Sequence, residues 1–152
     1  MRANLPTERS ESLYEQDYCL WLQSTIAALR SRSLEAVDID NLVEELADLG
    51  RSERKAVYSN LRVLLIHLLK WKYQPQKRTT SWRMTIAEHR QRLEESFEVS
   101  PSLRRYTQEC FASCYQAARR GSSAQTEMSV DSFPEACPFE PEQVLDLNWL
   151  PD

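Results

Sequence analysis

A chain of 152 residues, 41% hydrophobic and 28% charged, has the size and make-up of one globular domain with a real core. Its two glycines leave no Gly-rich phosphate loop and argue against a turn-rich β-protein, and its four cysteines (Cys19, Cys110, Cys114, Cys137) form neither a Cys-x-x-Cys knuckle nor a secreted framework. The net charge of −4 and the pI of about 5.3 argue against a uniformly basic nucleic-acid binder.

The first ten residues are expected to be flexible, and MRANLPTERSESLYEQD carries no apolar leader, so a reduced, cytoplasmic protein is expected. From about Glu11 to Ser31, the residues Tyr14, Tyr18, Trp21, Leu22, Thr25 and Leu29 follow helical spacing and predict the first helix. AVDIDNLVEELADLG predicts a short second helix, capped by Asp38 or Asp40 and ended by Gly50 in the left-handed conformation that a C-cap needs. Leu42, Leu46 and Leu49 share one of its faces, and Glu44, Glu45 and Asp48 spread around the other.

A third helix is predicted from Ser52 to about Tyr73. Val57, Leu61, Leu64, Leu65, Leu68 and Trp71 form one face, and Val63, Ile66 and Leu69 cover much of the rest. A helix apolar on most sides must be surrounded, so this is the central element. Its longest apolar run, VLLIHLL, is too short to cross a bilayer, and no membrane contact is expected. After QPQKRTT, a fourth helix carries Trp82, Ile86, His89, Leu93 and Phe97 on one face. VSPSLRR breaks and restarts the chain, and a fifth helix carrying Leu103, Tyr106, Cys110, Cys114 and Ala117 is predicted to stop near Gly121.

Residues 122–152 contain four prolines and read as a wrapping tail with one short helix at PEQVLD, anchored by Phe133, Phe139, Leu145, Trp149 and Leu150. The expected architecture is therefore all-α, a single-domain bundle of about five helices over residues 11–121 with the tail packed on it. Charge is unevenly placed along this frame. Arg54 to Ala87 holds eight basic residues and no acidic one, whereas Gly121 to Asp152 holds seven acidic residues and no Lys or Arg.

LYEQDYCLWLQ, IDNLVEELADLGRSERKAVYSNLRVLLIHLLKWKYQP, SWRMTI, SPSLR, FPEACPF and LDLNWLP resemble, in the same order, the domain-of-unknown-function family twenty-nine. The resemblance runs from Leu13 to Pro151. It implies a compact helical bundle from a bacterium, in particular a cyanobacterium. It implies no activity and carries no catalytic residues over.

His67 sits mid-helix on the side shared by Asn60, Val63, Leu64 and Trp71, so it is expected to be at least partly buried. Glu45 and His67 are the candidate catalytic pair, and Glu44, Glu45, Asp48 and His67 are the candidate ligands of a divalent metal, with the carboxylates facing His67 from the preceding helix. The simpler account is a neutral imidazole bonded to one of those carboxylates, because a buried polar group needs a partner whether or not it does chemistry.

EELAD resembles one half of the magnesium site of all-α nucleoside-triphosphate pyrophosphohydrolases, where carboxylates one turn apart share a cation. The second acidic pair is missing, since no acidic residue follows Glu53 before Glu88. No cofactor is expected on that count. His89 beside Glu88 reads as packing, and Cys110 and Cys114, one turn apart, read as buried thiols that behave as small hydrophobes.

Lys70, Lys72, Lys77, Arg78 and Arg83, close in sequence to Trp71, Tyr73 and Trp82, offer cations for phosphates and rings for bases. The acidic tail would compete for that surface, and its carboxylates are expected near the cationic loop. The function read from the sequence is a non-catalytic module acting through a protein partner or by self-association. A metal-dependent enzyme and a nucleic-acid binder through residues 70–83 are the alternatives.

Overall fold

The computed structural model describes residues 12–152. The first ten residues and Glu11 lie outside it. Among the described residues there are six α-helices, three single 3-10 turns and no strand, an all-α protein. Helix α1 spans Leu13–Gln16 and α2 spans Tyr18–Arg30, where the spacing predicts one helix. Asp17 makes the break. Its backbone is extended, and its carboxylate accepts the Leu20 N–H at 2.9 Å, satisfying a donor that the new helix start leaves open.

Helix α3 runs unbroken from Ile39 to Tyr73, 35 residues, and replaces the predicted second and third helices. Gly50 does not end it. A glycine inside a helix costs about 1 kcal/mol relative to alanine. A stop followed by a fresh start at Ser52 would instead give up the hydrogen bonds that the continuous helix makes within itself across this stretch. A Cβ built on Gly50 meets nothing within 4 Å. Gly50→Ala is therefore expected to raise the unfolding free energy by about 0.5–1 kcal/mol.

Helix α4 spans Thr80–Val99, with the Thr79 hydroxyl accepting the Trp82 N–H at 3.2 Å. Helix α5 spans Ser102–Thr126 and passes through Gly121, where the sequence predicts a stop. Its left-handed end is Glu127, with φ of 58°. Gly121 serves packing instead: a Cβ there would stand 2.7 Å from Ile66 Cδ1. Ile66 is buried, and its side chain must shift to admit the methyl group. Gly121→Ala is expected to destabilise by about 1–3 kcal/mol, opposite in sign to Gly50→Ala. Paired thermal melts of the two variants check both signs. Helix α6 is Pro141–Leu145, within the predicted PEQVLD.

The chain divides into two compact units at Leu49/Gly50, inside α3. In the first, α1, α2 and the start of α3 bury Trp21, Thr25 and Val37. In the second, Val57, Leu61, Leu64, Leu65, Leu68 and Leu69 of α3 pack with Ile86, Leu93 and Phe97 of α4 and with Leu103, Cys114, Tyr115 and Ala118 of α5. Phe133, Phe139 and Val144 of the tail belong to the same core. The tail is thus structural, with Phe139 meeting Trp149 edge-on at 5.5 Å.

Candidate interaction surface

Glu45, a candidate catalytic and metal-binding residue, points to the aromatic cluster of the first unit. Its two carboxylate oxygens accept the hydroxyls of Tyr14 at 2.6 Å and Tyr18 at 2.7 Å. Those rings pack on Trp21, Tyr14 edge-on at 4.8 Å and Tyr18 stacked at 5.8 Å. The bond to Glu45 pushes the Tyr14 phenol up to about 12 and raises Tyr18 for the same reason, so both remain donors across the working pH range. The carboxylate is occupied in tying α1 and α2 to α3.

Glu44 and Asp48 lie on the same helix, and His67 lies about six turns further along it. The two facing helices expected to bring carboxylates and histidine together are one helix. Among the described residues, no three His, Cys, Asp or Glu side chains are grouped as a metal ion would need. His67 Nδ1 bonds the Val63 carbonyl at 2.9 Å, one turn back in its own helix, rather than a carboxylate.

The second histidine is also held by a side chain of α3. Asn60 Nδ2 donates to the Ala56 carbonyl at 3.0 Å, which leaves Asn60 Oδ1 as acceptor, so His89 Nδ1 carries the proton in their 2.7 Å contact. Burial lowers both imidazole pKa values. Lys70 and His89 depress His67 further while the Val63 carbonyl opposes, and Arg92 depresses His89 against Glu88. Folded values below the ordinary 6.5 mean that the unfolded chain takes up protons first. Stability is full above 6.5 and falls as pH drops through it. The urea midpoint is expected to decrease between about pH 7.5 and about pH 5.5, and less so in His67→Asn, which keeps a donor but cannot titrate.

Cys110 and Cys114 are buried, and burial pushes the Cys114 thiol up to about 12 and raises Cys110. Both are held as protonated thiols near neutral pH.

Two cations of the basic stretch are engaged by neighbours within the chain. Lys70 Nζ stands 4.5 Å above the Trp82 ring and donates to Gln125 Oε1. Arg78 lies over Trp71 and donates from Nε to the Trp71 carbonyl at 2.8 Å. Tyr73 meets Phe133 edge-on, Lys72 is half-buried, and Lys77 and Arg83 are exposed. Of the three rings that would stack on bases, Trp71 and Trp82 each lie under one of the protein's own cations and Tyr73 packs on Phe133.

Among the described residues, no tail carboxylate forms an ion pair with Lys70, Lys72, Lys77, Arg78 or Arg83, contrary to the expected balance of acidic tail and cationic loop. Besides its buried side chains, the tail is held through its backbone. Arg90, buried on α4, donates to the carbonyls of Val144 at 2.8 Å, Trp149 at 2.7 Å and Gln143 at 3.3 Å. Arg119 donates to Phe133 O and Tyr115 to Pro134 O. Nothing in its residue type marks Arg90 as a buried anchor. Its signal is register, since it continues the stripe Ile86, Leu93, Phe97 at a spacing of four and three.

The open chemistry of the molecule lies elsewhere. Of the thirteen large hydrophobic side chains exposed among the described residues, ten fall between Leu13 and Leu49 and three in all the rest. On α3, Ile39, Leu42, Val43, Leu46 and Leu49 recur at steps of three, one, three and three, a continuous apolar seam. Leu42 is half-covered, whereas Ile39 is 51%, Val43 55%, Leu46 59% and Leu49 64% exposed. Every residue from Leu46 to Ala56, about three turns of helix, is exposed.

A family model described as a domain of unknown function, DUF29, matches residues 13–150 of the chain. No curated protein and no solved structure matches it.

Proposed function

We propose, for a chain that belongs to the DUF29 family, that it works as a non-catalytic protein-interaction module through the apolar face exposed between Leu13 and Leu49. The concentration of bare large hydrophobics in that segment supports this reading. Scattered apolar residues on a surface mean little, but a helical seam of them, left outside the core, is the form in which helices recognise one another. The second unit, by contrast, closes its core over α3, α4, α5 and the tail. Glu45 acts here as the fixture that holds α3 against α1 and α2, and thereby presents the seam.

The test is a photo-reactive side chain placed at position 46 or 49, with position 91, an exposed site on α4, as the control. Irradiation in cells is expected to give discrete adducts from 46 and 49 and none of comparable yield from 91. Equal, diffuse labelling at all three positions would remove the interaction reading.

A further inference from the structure

We propose that the hollow between α4 and residues 147–150 of the tail is a binding site for a small carboxylic acid. Arg83 and Arg90 would hold its carboxylate, and Ile86, Leu147 and Leu150 its short apolar body. The site lies wholly within the second unit and is independent of the apolar seam. Its framework follows from register. Arg83, Ile86 or Ala87, and Arg90 stand one turn apart along one face of α4. The tail closes the other side, and the two enclose a cavity of about 170 Å³.

Arg90 is a charge without a counter-ion. It is 3% exposed, and a buried charge needs an opposite one close by. Three of the five N–H donors of its guanidinium go to the neutral carbonyls of Val144, Trp149 and Gln143, which leaves two unspent. Among the described residues, neither Arg90 nor Arg83 forms an ion pair. Asp146 is the acid whose charge Arg90 feels. Its carboxylate, however, accepts the Asn148 N–H at 2.9 Å and lines a separate hollow with Glu94 and Arg104. The tail carries seven acidic residues, yet none of them lines the cavity beside Arg83 and Arg90.

The lining specifies both head and body of the ligand. Two guanidinium forks suit the paired oxygens of a carboxylate. The side-chain amide of Asn148, exposed and without a partner among the described residues, adds a neutral donor. The remaining lining, Ile86, Ala87, Leu147 and Leu150, is apolar. The volume lies below the roughly 300 Å³ at which drug-sized pockets begin, so the ligand has only a few heavy atoms. A short-chain carboxylate meets both parts of the wall, whereas inorganic phosphate would leave the apolar part uncovered.

Butyrate, acetate and inorganic phosphate, titrated into the full chain at constant ionic strength, are read by NMR at the Ala87 amide and the methyl groups of Leu147 and Leu150. Butyrate is expected to shift these resonances saturably, with a dissociation constant of about 1 mM. Acetate, shorter by two methylenes, is expected to bind about tenfold more weakly, and phosphate more weakly than butyrate. Arg83→Gln removes one fork without touching the tail anchor and is expected to weaken butyrate at least about fivefold. Asn148→Asp supplies a counter-ion from within the chain and is expected to abolish butyrate binding. Both positions are exposed, so unchanged melting temperatures without ligand are not required for folding to be kept, and helix content serves as the check.

No saturable shift with butyrate up to about 20 mM would overturn the site, as would equal affinity in the wild type, Arg83→Gln and Asn148→Asp. Phosphate binding more tightly than butyrate would overturn the carboxylic acid as the ligand. Shifts confined to residues away from α4 and the tail would overturn the cavity as the place of binding.

Discussion

Arg90→Met is expected to lower the unfolding free energy by about 3 kcal/mol and to expose residues 141–152 to proteolysis before the rest of the chain unfolds. Three backbone carbonyls, of Val144, Trp149 and Gln143, share this one guanidinium. Each buried acceptor left without a donor costs about 1–3 kcal/mol. Against that stands the cost of burying the guanidinium, visible in its pKa, which burial pulls down to about 10 and the charge of Asp146 only partly restores. Gln143 O keeps the Asp146 N–H at 3.2 Å, so only the other two carbonyls lose this donor; methionine fills much of the space and removes the desolvation cost, so the net falls below their sum.

Arg90→Lys is expected to fall between the two, because an ammonium is a point donor and cannot span three acceptors as the planar fork does. Urea unfolding of the three proteins, with timed proteolysis of the native state, checks the order. An Arg90→Met protein with a wild-type midpoint and an intact tail would show that the guanidinium's burial cost cancels its three bonds.

Phe133→Ala is expected to cost about 3–5 kcal/mol, the range for deleting a fully buried aromatic. The ring is 1% exposed, sits edge-on to Tyr73 and is fixed from behind by Arg119, which donates to the Phe133 carbonyl. Tyr115 holds the next residue through Pro134 O at 2.6 Å. The tail thus has two anchors, one around Phe133 on α5 and the other at Arg90 on α4. With no shared partners, their effects are expected to add within about 0.5 kcal/mol in the double variant. A large shortfall from additivity would mean that the tail comes away as one unit once either anchor fails. Calorimetry of the two single variants and the double variant decides.

The faces of the helices were legible in the sequence, and their ends were not. Val57, Leu61, Leu64, Leu65 and Leu68 share a face by spacing and are all buried, because helical periodicity is a property of the residues themselves. The sequence predicts a stop at each glycine, and both lie inside helices. A glycine permits the left-handed conformation without requiring it. Gly50 stands in open space, Gly121 makes room for Ile66, and the left-handed turn after α5 falls to Glu127. Asp17 shows the reverse case, in which a residue inside an apolar stripe caps a new helix because its carboxylate reaches the Leu20 N–H.

The surface followed the same division. Leu42, Leu46 and Leu49 were seen to share a face, but which apolar face finds a partner within the same chain is a property of the packed molecule. Arginine is by type a surface residue, and only its register with Ile86 and Leu93 marks Arg90. Glu45 and His67 were paired on the premise of a chain reversal near Gly50, and without that reversal each turned to a local partner, the tyrosine hydroxyls and the Val63 carbonyl.

The unbroken course of α3 also sets a gradient in how its backbone exchanges hydrogen with solvent. From Val57 onward one side of the helix packs into the core with side chains of α4, α5 and the tail, and the amide protons on that side are released only when the core opens. Between Leu46 and Ala56 nothing shields them but the helix's own bonds, so local fraying there suffices. One element should thus show two exchange regimes, fast in its bare middle turns and slow on the packed side beyond Val57, with no loop or bend to announce the change.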